Sequence, residues 1–134
     1  MSDEPRLRVE PGELRRAADA WRIQWRIANE GTGPLRIVSS WLPHGRFRGE
    51  ERAHDAAVAP GASVTLELDA KGEGRAGEVV ENAFLILRVE QDNARWRVLA
   101  RITVRFDETR APRPAVEVVT SLPAGFSGLE EGDR

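Results

Sequence analysis

The chain has 134 residues, no cysteine and a formal net charge of −2. That length suits one domain of ~100–150 residues with a tail. The missing cysteine excludes disulfides and thiolate metal sites, and the charge excludes a global attraction to nucleic acid or an anionic membrane.

No run reaches the ~18 apolar residues of a membrane span. The opening MSDEPRLRVE lacks the charged and then apolar blocks of a secretion signal. Taken as the native start, it points to a cytoplasmic protein. Leu7 and Val9 alternate with Arg6, Arg8 and Glu10, which predicts a short first strand ending at Pro11-Gly12. Residues 13–20, rich in Ala and Arg, read as a helical turn or a loop. Trp21, Ile23, Trp25 and Ile27 then alternate with Arg22, Gln24, Arg26 and Ala28, the pattern of a half-buried strand.

Residues 29–34, NEGTGP, are a dense turn signal. Residues 35–42 predict a third strand, with Leu35, Ile37, Ser39 and Trp41 on one face and Val38 on the other. Pro43-His44-Gly45 breaks it, residues 46–55 read as polar and irregular, and residues 56–58 as a short strand. After a turn at Pro60-Gly61, Val64, Leu66 and Leu68 alternate with Thr65, Glu67 and Asp69 in an edge-compatible strand. Residues 70–77 are glycine-rich and charged, and read as a mobile loop.

Residues 82–106, NAFLILRVEQDNARWRVLARITVRF, organise the rest. Two long β-type runs flank Asp92-Asn93, residues that tolerate the positive φ of a tight hairpin turn. Counting outward pairs Gln91 with Ala94, Val89 with Trp96, Arg88 with Arg97, Leu87 with Val98, Ile86 with Leu99 and Leu85 with Ala100. Side chains alternate faces along a strand. One face therefore collects Ala83, Leu85, Leu87, Val89, Trp96, Val98, Ala100 and Ile102. The other collects Phe84, Ile86, Arg88, Glu90, Arg95, Arg97, Leu99 and Arg101. A slip of one residue would destroy that sorting.

The expected fold is all-β, an antiparallel β-sandwich of about seven strands spanning residues 1–107. Residues 6–9, 20–28 and 63–69 form one sheet, and residues 35–42 join the hairpin in the other. The Trp21/Ile23/Trp25/Ile27 face packs on the Leu85/Leu87/Val98/Ala100 face about 10 Å away. Residues 108–134 form a Pro/Gly/acidic tail. Within it residues 115–119 are one more candidate strand and residues 122–134 are expected to be disordered.

Two turns carry a family resemblance. Asn29-Glu30-Gly31 followed by Pro34-Leu35-Arg36-Ile37, then Ala59-Pro60-Gly61-Ala62-Ser63-Val64-Thr65-Leu66, resembles bacterial immunoglobulin-like modules of the Hydin-like (ASH) and cell-adhesion-related types. The resemblance covers residues 20–69. It implies an Ig-like sandwich acting as a non-catalytic scaffold or interaction module, with no shared catalytic residues to carry over.

Catalytic and cofactor chemistry finds little support. Gly72, Gly74 and Gly77 make a formal GxGxxG after a strand, but no helix or βαβ unit follows and Glu73 would repel a pyrophosphate. His44 and His54, near Glu50, Glu51 and Asp55, match no regular metal-ligand spacing and are expected in solvent. No G-x-S-x-G elbow presents a serine to either histidine. No enzyme activity, cofactor or metal is expected.

Two surfaces remain. The first is the outer hairpin face, where Phe84, Ile86 and Leu99 are framed by Arg88, Arg97, Arg101 and Arg95. Arg88 opposite Arg97 is an unfavourable like-charge pair. This face is covered by the strand at 115–119, forms a homodimer or partner interface, or is ordinary surface with arginine stems over apolar groups. The second is the loop carrying Trp41, His44, Arg46, Phe47 and Arg48. Its mix of aromatic and basic groups suits an interface or stacking on single-stranded nucleic acid; otherwise Trp41 and Phe47 cap the sandwich. Nearby acidic residues disfavour nucleic acid. The sequence thus points to a protein-interaction or assembly module using the hairpin face. The alternative is an anion or single-stranded nucleic-acid binder using the arginines and the 41–48 loop.

Overall fold

The computed structural model describes residues 4–124. Eight strands run β1 (Leu7–Ala17), β2 (Ala20–Asn29), β3 (Leu35–His44), β4 (Phe47–Val58), β5 (Ser63–Ala70), β6 (Val79–Gln91), β7 (Ala94–Phe106) and β8 (Pro112–Pro123). They form two antiparallel sheets, β1-β2-β5 and β4-β3-β6-β7-β8, packed as a β-sandwich. The β6–β7 hairpin has the expected register, from Gln91 opposite Ala94 to Leu85 opposite Ala100. Asp92 and Asn93 have φ of 54° and 62°, the left-handed pair that a two-residue turn matching the strand twist requires.

The core lies between the sheets. Ile23, Trp25 and Ile27 of β2 and Leu66 and Leu68 of β5 face Leu85 and Leu87 of β6 and Val98, Ala100 and Ile102 of β7; all are buried. Phe47 and Phe106, both fully enclosed, belong to the same cluster. Residues 71–78 lie against Phe106: a Cβ on Gly74 would sit 2.5 Å from the Phe106 ring, and one on Gly72 would sit 2.9 Å from the Arg46 carbonyl. Gly77 has φ of +86°. Each glycine of the formal GxGxxG thus has a packing or backbone role.

Both turn signals meet at one place. Asn29, almost fully buried, donates through Nδ2 to the carbonyls of Gly33 (2.9 Å) and Val58 (3.0 Å), and its Oδ1 accepts from the Gly31 N–H (3.0 Å). The Gly61 N–H donates to the Asn29 carbonyl (2.8 Å), and the Asn29 N–H to the Ala62 carbonyl (2.9 Å). One amide therefore ties the β2–β3 turn to the end of β4 and the start of β5.

Several elements differ from expectation. Residues 13–17 are strand, not helical turn or loop: a bulge between Pro11 and Leu14 absorbs the Pro-Gly step, and Leu14, Arg15 and Arg16 pair with Ile23, Arg22 and Trp21. Residues 47–58 form one long strand rather than an irregular segment before a short one. β4 is an edge strand with register shifts against β3, so its alternation is masked and its outer positions are polar. β8 extends over 112–123 and pairs with β7 in the plane of the sheet, so it does not lie across the hairpin's outer face. Residues 125–134, part of the expected disordered stretch, lie outside the described residues.

Candidate functional site

The outer face of the five-stranded sheet is ordered in cross-strand rows. A bulge between Ile37 and Ser39 shifts the phase of β3. Past it Ser40 and Leu42 point inward and Trp41 points outward, the reverse of the face expected for Trp41. Trp41 then sits opposite Ile86, Ile86 opposite Leu99, and Leu99 opposite Thr120. On one side runs Ser39–Arg88–Arg97–Leu122; on the other, Phe84–Arg101–Val118. Trp41, Phe84, Ile86, Arg97 and Leu99 are half-buried, while Arg88 and Arg101 are exposed.

The Arg88–Arg97 pair is relieved from one side. Arg88 Nε lies 3.3 Å from Glu51 of β4, and its guanidinium stacks 5.5 Å from the Trp41 ring centroid. Glu51 also accepts from Ser39 Oγ at 2.6 Å. Arg97 has no such relief, and its Nε is buried without a hydrogen-bond partner. Among the described residues Arg95, Arg97, Arg101 and Arg105, all directed outward from β7, make no ion pair.

The outer face of the three-stranded sheet is the opposite case. Arg22 is bidentate to Asp69 (2.8 and 3.2 Å), Arg15 reaches Glu67, Arg26 reaches Glu10, and Arg8 lies near both Glu10 and Glu30. Asp69 is held below the usual carboxylate range, first by its hydrogen bond from Arg22. That face neutralises itself; the five-stranded face carries an apolar row and unpaired cations.

The residues of the 41–48 segment are dispersed. Phe47 is in the core and cannot stack on a ligand. Arg46 is bound to Glu78 at 2.6 Å and to the Glu73 carbonyl at 3.3 Å. The Arg48 main chain pairs with Lys71, and His44 Nδ1 accepts from the Arg46 N–H. Only Trp41 joins the hairpin face.

His54 is not in open solvent. Its Nε2 lies 2.6 Å from Ser40 Oγ, a serine–histidine contact that the spacing of the two residues does not signal. The imidazole is held below its ordinary range by burial, with Arg52 adding to the effect. Ser40 is 0% exposed, so no substrate reaches its hydroxyl, and the contact fastens β4 to β3. Among the described residues no three His, Cys, Asp or Glu side chains gather to hold a metal ion, and no helix is long and apolar enough to cross a membrane. No protein-family model matches this chain, and no curated protein is found that is similar to it.

Proposed function

We propose that this protein is a non-catalytic interaction or assembly module whose contact surface is the outer face of the β6–β7 hairpin, with Phe84, Ile86, Arg88, Arg97, Leu99 and Arg101, extended by Trp41. The observation that carries this reading is the in-register row Trp41–Ile86–Leu99 across three adjacent strands, bordered by Arg88, which Glu51 partly neutralises, and by Arg97 and Arg101, which make no ion pair among the described residues. Aromatic and arginine side chains around an apolar centre are the groups that dominate protein interfaces. The Ig-like kinship is part of the same proposal. β1-β2-β5 facing β3-β6-β7 has the neighbours of the A-B-E and C-F-G strands of that sandwich, with β4 beside β3 and β8 added at the far edge.

Ile86→Glu tests it. The variant is expected to keep the wild-type melting curve but to lose its captured protein partner, or whatever part of its self-association runs through this face. Unchanged sedimentation and an unchanged partner set would contradict the reading. The unpaired β7 arginines also keep the second reading, an anion or single-stranded nucleic-acid binder, in play. Affinity for an oligonucleotide that collapses between low and moderate salt would favour it.

A further inference from the structure

Among the described residues β8 is the end strand of its sheet, and its free edge is unlike those of β4 and β5. β4 presents Arg48, Glu50, Glu51, Arg52 and Asp55, and β5 presents Glu67 and Asp69, charges that discourage strand addition. β8 carries Glu117 as its only charge between Pro114 and Pro123. It also carries the large hydrophobic side chains that stand most exposed among the described residues, Val118 at 45% and Leu122 at 43%.

The hydrogen-bond phase of β8 follows from its end. The Ala124 N–H donates to the Arg95 carbonyl (2.9 Å), and antiparallel pairs alternate between bonded and non-bonded. Arg97–Leu122, Leu99–Thr120 and Arg101–Val118 are therefore the bonded pairs with β7. The main-chain groups of Val119 and Ser121 point to the free edge. The Ser121 side chain is tied inward to the Pro5 carbonyl at 2.8 Å, which leaves its own N–H and C=O available. A bulge at Arg101/Ile102 bends the strand before 117, and Pro123 lacks an N–H, so both ends of this window are closed to further pairing.

We propose that two copies of this chain join antiparallel through their β8 edges, about a two-fold axis at Thr120, to form one continuous sheet. In that register Val119 of each copy exchanges both main-chain hydrogen bonds with Ser121 of the other. Thr120 faces its own counterpart, and Val118 faces Leu122 of the second copy. Both 118–122 contacts are non-bonded pairs, where side chains approach most closely. The two most exposed large hydrophobic residues among those described thus bury each other, and a single two-fold accounts for both. The arginines do not oppose this: Arg97 of one copy and Arg101 of the other end the same row three strand spacings apart, about 14 Å, beyond the ~8–10 Å screening length. The inference stands apart from the proposed function, since the hairpin face stays open in the joined sheet.

Sedimentation velocity of the full chain is expected to show a concentration-dependent dimer. Val118→Lys alone and Leu122→Glu alone each weaken it roughly tenfold, because each change is made twice per dimer. The chain carrying both substitutions regains affinity, since the new ammonium of one copy meets the new carboxylate of the other. Within one strand those positions are about 13 Å apart, too far to pair internally. By amide hydrogen exchange, Val119 and Ser121 become protected as concentration rises, while Val118, Thr120 and Leu122 are protected throughout. Ile86→Glu leaves this dimer intact, which separates its failure from failure of the hairpin-face reading. A monomer at every concentration overturns the proposal, as does a double variant no stronger than the singles. Slow Val119 and Ser121 exchange in the dilute monomer also overturns it, because the chain then covers its own edge.

Discussion

Trp25 measures how well the two sheets are joined. It is 0% exposed, lies between Pro11 and Leu66 in its own sheet, and belongs to the cluster shared with Leu85, Leu87 and Val98. An aromatic side chain buries ~150–250 Å2, which at ~25 cal/mol per Å2 is about 4–6 kcal/mol as an upper bound. Its indole N–H is buried without a hydrogen-bond partner, an offset of ~1–3 kcal/mol. Trp25→Ala is therefore expected to cost ~3–5 kcal/mol. Trp25→Phe keeps an aromatic ring and removes the unpaired donor, so its loss is clearly smaller. Urea unfolding followed by far-ultraviolet circular dichroism measures both, with an unchanged m-value as the check on two-state behaviour. An alanine cost under ~1 kcal/mol would refute the core placement.

Other expectations follow from single contacts. Asn29→Ala removes three hydrogen bonds, each worth ~1 kcal/mol net, and should cost ~2–4 kcal/mol in the same assay. Gly74→Ala drives a methyl into the Phe106 ring and should cost ~1–3 kcal/mol. Gly33→Ala, with nothing near its Cβ, is the neutral control. The folded state holds His54 less basic than the unfolded chain does, so the unfolded state takes up the proton first as pH falls. This part of the stability is full above about pH 6.5, declines below it, and levels off once the folded imidazole is protonated too. His54→Gln should flatten that step in melting temperature against pH. A second decline is expected below about pH 4, where the depressed carboxyls of Asp69, Glu78 and Asp107 begin to protonate in the unfolded chain.

The parts of the fold legible in the sequence were those with an uninterrupted period of two. The β6–β7 register and the Trp25 face of β2 follow from alternation and a two-residue turn, and the structure has both. Bulges defeat the same reasoning. One extra residue near Val38 moves Trp41 to the opposite face, and the Pro11/Leu14 bulge makes the second half of β1 look like a break. β4 was illegible for another reason: an edge strand with charged outer positions leaves Phe47 and Val58 as its main inward anchors. The hairpin part of the candidate surface was therefore readable. The contributions of Trp41, Glu51, Val118 and Leu122 depend on neighbours that only the folded sheet supplies.

Site-specific photo-crosslinking tests the central claim most directly, with a benzophenone side chain placed at Leu99 in one protein and at Arg22 in another. Leu99 lies in the apolar row, and Arg22 lies on the self-neutralised face of the other sheet. The account predicts a discrete protein adduct from the Leu99 position that disappears when Ile86→Glu is added, and none from Arg22. Equal adducts from both positions, or adducts from Arg22 alone, would contradict it.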